Sequence, residues 1–211
     1  MHGTLITPDP SVGEIYARVA ARHGHPGLAP DTLGNRFRTA WREAANFQHR
    51  RADWESLVDS VFRGLVPRPP SATFFPALYD EFARTSVWRL YPDVIPTLEN
   101  LAAHGLDLGI VSNWDERLRP LLRGLRLERY FHAIVISCES GFPKPSPVIF
   151  ESALRQLGRP ASRVLHVGDS LREDFAGATA AGLSALHLDR ATPGHDLQIQ
   201  SLEELGRWLA I

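Results

Sequence analysis

The sequence predicts an α/β protein: a doubly wound, parallel, Rossmann-like sheet interrupted near its start by an all-helical insertion. Three observations carry this. From about residue 86 onward, short apolar runs alternate with stretches of helical periodicity, as in a chain of βα units. Residues 11–85 show helical periodicity and no convincing strand. Finally, the apolar run 164–167 breaks at Gly168 into the acids Asp169, Glu173 and Asp174, as a buried parallel strand does when it ends in a charged loop.

Residues 1–10 read as a turn. Ser11 and Glu14 have the spacing of a capping box, and Ile15, Tyr16, Val19 and Ala20 then recur at helical spacing until His23-Gly24. A second helix is predicted from about Asp31 through Phe37 and Trp41 to Ala45. A third follows Asp53, with Trp54, Leu57, Val58, Val61 and Phe62 on one side, and stops at Gly64. Residues 66–71 are too rich in proline for regular structure and read as a stiff linker. From Phe74 a fourth helical segment carries Leu78, Phe82 and Val87. The aromatics Trp41, Trp54, Phe62, Phe74 and Phe75 could line a pocket, but at this spacing they are assigned to packing.

In the alternating part, Pro92 suits the first turn of a helix through Val94, Leu98, Leu101 and Ala102 to Gly105. Strands are predicted at 106–111, 133–137, 164–167 and 184–188. Between them lie helices opening near Asp115 and spanning 148–157 and 175–181. Ser201 and Glu204 cap a final helix with Leu202, Leu205, Trp208 and Leu209.

Composition narrows the function. The 23 basic residues against 24 acidic ones leave no field to hold nucleic acid. No apolar stretch has membrane-spanning length, and the first residues lack the features of a signal peptide. Cys138, the one cysteine, fits a reducing compartment and a core thiol, so a cytoplasmic location is expected.

Parallel strands would bring Ser112, Asn113, Lys144 and the 168–174 loop to one sheet edge. A hydroxyl and an amide there can hold phosphoryl oxygens, and a lysine between two prolines can neutralise the transferred group. Three crowded carboxylates repel one another unless a hard cation sits among them, and magnesium is the expected one. Each part has a plainer reading: Gly168-Asp169 as a turn, Ser112-Asn113 as a helix entry, Lys144 as a solvated loop residue.

These residues together resemble the haloacid dehalogenase superfamily of phosphohydrolases. Gly3-Thr4-Leu5 is similar to the end of its first motif, Ile110-Val111-Ser112-Asn113 to the second, residues 141–147 around Lys144 to the third, and Gly168-Asp169-Ser170 with Asp174 to the fourth. The insertion resembles the subclass I cap, and residues 88–118 are most similar to the branch named for haloacid dehalogenase-like hydrolase domain-containing protein 3. The resemblance divides the chain into 1–10 (the remnant of the first motif, in the core), 11–85 (the helical cap) and 86–211 (the α/β core). It implies a magnesium-dependent phosphatase acting on a small phosphorylated metabolite through an aspartyl-phosphate. His2, Ser112, Lys144 and Asp169 would be catalytic, Ser112, Asn113 and Lys144 would bind phosphate, and Asp169 and Asp174 would bind magnesium.

The chain departs from the family's Asp-x-Asp-Gly-Thr in two respects. With Gly3-Thr4 aligned, His2 stands at the general-acid position and the nucleophile falls before Met1. The expectation is therefore that a first strand ending in Asp precedes Met1, lying between the strands that end at Ser112 and Gly168. Without it a gap of roughly 10 Å opens and the ladder groups on both sides are orphaned. A catalytically inactive binding protein and a haloacid dehalogenase stand as alternatives. A phosphorelay receiver does not, because there the acids lead the chain rather than close it.

Overall fold

The computed structural model describes every residue except Ala45, Pro193 and His195. Two compact units emerge, one of Met1–Thr7 with Leu90–Ile211 and one of Pro8–Arg89. The insertion is thus slightly longer than the 11–85 read from periodicity. The strands β1 (Ile6–Pro8) and β2 (Trp88–Leu90), three residues each and too short to leave a pattern, pair where the chain leaves and returns.

The helical unit follows the predicted order. α1 (Val12–Arg22) starts at Ser11, whose side chain accepts the Glu14 N–H at 3.2 Å. α2 (Pro30–Glu43) opens on proline, and its expected end at Ala45 lies outside the described residues. α3 (Arg51–Phe62) is capped from its third position, where Asp53 accepts the N–H groups of Arg50 at 2.9 Å and Gln48 at 3.1 Å. α4 (Phe75–Glu81) ends earlier than predicted, and Val87 belongs to a separate turn, Thr85–Val87. Thr85, Ser86 and Val87 are hydroxyl-bearing or β-branched and continue a helix poorly. Phe62, Phe74 and Phe75 are core residues, as the packing assignment requires, whereas Trp41 is 40% exposed and stacks on Trp54 at 5.6 Å.

In the α/β unit, helices mostly alternate with strands. α5 (Val94–Ala103) is followed by β3 (Gly109–Ser112), α6 (Leu118–Gly124) and β4 (Ala133–Ile136). Then come α7 (Ser137–Ser140), α8 (Pro147–Leu157), β5 (Leu165–Gly168) and α9 (Gly177–Ala180). β6 (Ser184–Leu188), β7 (Gln198–Ile199) and α10 (Leu205–Leu209) close the chain. The predicted strand 133–137 stops one residue early because the Ser137 hydroxyl bonds both the N–H and the carbonyl of Trp114, and the chain turns there into α7. The predicted helix 175–181 is preceded by a π-helical turn, Leu171–Ala176, in which Asp174 and Phe175 both donate to the Ser170 carbonyl.

All strand pairs of this sheet are parallel, but the sheet is in two pieces. β3 pairs with β4, and β5 pairs with β6, which pairs with β7. No ladder joins β3 to β5 among the described residues. Leu165, His166 and Val167 in β5 are accordingly only half-buried, while Ala185, Leu186, His187 and Leu188 in neighbouring β6 are buried.

Candidate active site

Asn113 at the end of β3 joins the loops that follow β4 and β5, and every predicted site residue except His2 sits at one of these strand ends or in these loops. Ser112 is buried at the end of β3. The next residue, Asn113, is the hub. Its Oδ1 accepts the Lys144 N–H at 2.6 Å, and its Nδ2 donates to the Lys144 carbonyl and to Glu173 Oε2, both at 3.0 Å. One amide therefore ties the loops after β4 and β5 to the end of β3.

Asp174 is buried, with two donors on Oδ1 and one on Oδ2, which leaves Oδ2 able to accept once more. Its Oδ1 accepts from Lys144 Nζ and, at 2.8 Å, from His166 Nε2, and its Oδ2 accepts the Ser170 N–H at 3.1 Å. Burial alone would raise the Asp174 pKa, but the His166 bond and the Lys144 charge outweigh it and hold the carboxyl far below the usual range. Gly168 makes the crossing feasible, since a Cβ there would lie 2.2 Å from Asp174 Cγ. Burial raises the pKa of Glu173 and lowers that of His166, so His166 is neutral at pH 7.

Asp169 is the contrasting acid. It is exposed, and its Oδ1 accepts the Thr4 hydroxyl at 2.7 Å while its carbonyl faces His187 Nε2 at 3.2 Å. Gly3 has φ +78°, and a Cβ there would lie 2.2 Å from Asp169 Oδ2, so the turn can come this close only as glycine. His2 sits beside this turn at the surface. Desolvation by the surrounding protein and the neighbouring terminal ammonium lower its pKa, which leaves it neutral at pH 7 and able to donate a proton from its charged form only on the acid side.

Asn113, Lys144 and Asp174 are thus joined by hydrogen bonds, Ser112 adjoins Asn113 and Asp169 adjoins Ser170, the backbone partner of Asp174, with Thr4, His166 and His187 added. The sequence carried a signal for His166, a polar residue inside an apolar run. Among the described residues no group of three or more His, Cys, Asp or Glu side chains is arranged to hold a metal. Magnesium commonly takes only one or two carboxylates, with water and substrate phosphate completing its shell. Asp169 and Asp174 fit that mode as hard oxygen donors. Cys138 is no part of this chemistry, because burial pushes its thiol pKa up to about 11.

A family model of haloacid dehalogenase-like hydrolases matches residues 1–182. The chain belongs to the haloacid dehalogenase-like hydrolases. Haloacid dehalogenase-like hydrolase domain-containing protein 3 of Danio rerio is 34% identical over 96% of this chain and 90% of its own length. A glyceraldehyde 3-phosphate phosphatase of Methanopyrus kandleri is 40% identical over 47% of this chain and 43% of its own. Among solved structures, a HAD phosphatase from Thermococcus onnurineus superposes with a TM-score of 0.72 at 25% identity, covering 99% of this chain and 94% of that one. The α/β fold with a helical insertion is that of this family. No helix among the described residues is long and apolar enough to cross a membrane.

Proposed function

We propose that the protein is a magnesium-dependent phosphatase of small phosphomonoesters, working through an aspartyl-phosphate. The observation that carries this is the convergence of Ser112, Asn113, Lys144, Asp169 and Asp174 at the C-terminal ends of parallel strands and in the loops that follow them. The phosphatases among the relatives support it.

Each residue then has a task. The Ser112 hydroxyl and Lys144 ammonium hold phosphoryl oxygens, and Asn113 fixes the loop that presents Lys144. The nucleophilic carboxylate forms the bond to phosphorus as the bond to the alcohol breaks, and the alcohol leaves with a proton from water, or from His2 on the acid side where it is charged. A water molecule then cleaves the acyl-phosphate and releases inorganic phosphate. Asp169 and Asp174 would hold magnesium, which offsets charge on the phosphoryl group.

Phosphate release from p-nitrophenyl phosphate tests this, with magnesium or EDTA, comparing the 211-residue chain with a form extended to the next upstream start. Turnover is expected in the extended form with magnesium, and its loss in Asp169→Ala. A well-folded extended form that turns over a 2-haloacid without magnesium, or turns over nothing, would replace the proposal with the dehalogenase or the inactive alternative.

A further inference from the structure

Two residues beyond the end of β6, Arg190 makes contacts that phosphate binding does not require. Its guanidinium grips Asp93 at 2.8 and 3.0 Å, donates to the Thr4 carbonyl at 2.8 Å and the Gly3 carbonyl at 3.4 Å, and lies 3.9 Å from the centre of the Tyr91 ring. Asp93 is itself held by the Ser201 hydroxyl at 3.0 Å and the Leu202 N–H at 2.8 Å. A planar fork stacked on a ring fixes direction as well as charge. What it fixes is the turn whose Thr4 hydroxyl bonds Asp169 Oδ1, and whose Gly3 leaves no room beside Asp169 Oδ2. His187, from β6 itself, braces the Asp169 carbonyl.

We propose that Arg190 is a positioning residue that acts through the Gly3–Thr4 turn to set the orientation of the Asp169 carboxylate, and with it the affinity of the site for a divalent cation. The inference rests on Asp169 being a metal ligand. A purely structural ion pair would need only Asp93, whose other partners already anchor it. The bonds to two carbonyls on the Asp169 side are what such a pair leaves without a purpose. Outer partners of metal ligands act in this way, and their removal typically weakens metal binding by about 10- to 100-fold.

Manganese serves as the probe, and binding to the 211-residue chain is read by calorimetry, with no turnover needed. Arg190→Lys keeps the charge but loses the fork, Thr4→Val loses the hydroxyl, and Thr4→Ser restores it. Arg190→Met combined with Asp93→Asn removes both charges together, in case an unpaired Asp93 unfolds the single variant. The dissociation constant is expected to rise about 10- to 100-fold in Arg190→Lys, in the Arg190→Met/Asp93→Asn pair and in Thr4→Val, and to stay near wild type in Thr4→Ser. Arg190→Lys combined with Thr4→Val should be no weaker than the weaker single variant, because both act on one contact. Amide exchange at residues 3–6 should quicken in Arg190→Lys. Wild-type affinity in folded Arg190→Lys and in the charge-free pair would overturn the proposal and leave the metal site standing. Absence of manganese binding in the wild-type 211-residue chain and in the extended form alike would overturn the metal role of Asp169 and the positioning role with it.

Discussion

Two buried acids, one in each unit, invite comparison. In the helical unit Glu81 is met by Arg18 at 3.1 Å, Arg22 at 3.0 Å and Arg84 at 3.5 Å, with 45, 50 and 63% of those arginine side chains exposed. In the α/β unit Asp174 is met by Lys144 and His166, which are 5 and 13% exposed. Both carboxylates are almost equally hidden and both have depressed pKa values. The difference lies in the cations. Solvated arginines recover water when the pair breaks, so the Glu81 cluster is an ordinary surface-linked support. A buried lysine has no such recourse, and the cost of keeping it buried points to a task beyond support.

Breaking the buried pair should have the largest effect. Lys144→Met leaves Asp174 charged and partly unpaired, and is expected to cost about 3–5 kcal/mol in urea unfolding. Adding Asp174→Asn should recover most of that loss, and a double variant as unstable as the single would remove the contrast. Acidification comes next. The folded chain keeps His166 neutral mainly by burial, and its bond to Asp174 only partly offsets this. Below about pH 6.5 the unfolded imidazole takes a proton that the folded one does not, so stability falls as pH drops from 7.5 towards 5.5. His166→Gln should flatten that slope, and an unchanged slope would mean that another group carries it. Glu81→Gln should cost about 1 kcal/mol or less despite three partners, and Arg22→Ala less still, both read from denaturation midpoints. A loss from Glu81→Gln as large as that from Lys144→Met would show that cation exposure is no guide to the acids' roles.

Much of this was legible in sequence because it is local. Ser112, Asn113, Lys144, Asp169 and Asp174 each follow closely on an apolar run, and a parallel sheet carries such residues to one edge. Arg190 and Asp93 were not legible, because their pairing joins residues 97 positions apart with no periodicity to announce it. Likewise the two-residue strand β7 and the π-helical turn at Leu171–Ala176 are set by tertiary pairing and loop closure rather than by pattern.

The most direct test of the central claim, that the edge at Ser112, Lys144 and Asp169 is a phosphoryl site, is a phosphorus NMR titration of inorganic phosphate with magnesium. The proteins are wild type, Glu81→Gln and the charge-matched Lys144→Met/Asp174→Asn. Binding to wild type and Glu81→Gln, weakened by about tenfold or more in the double variant, is the expected result, since one charged contact is worth about 1.5–3 kcal/mol. Equal binding to all three proteins, or loss in Glu81→Gln alone, would contradict it.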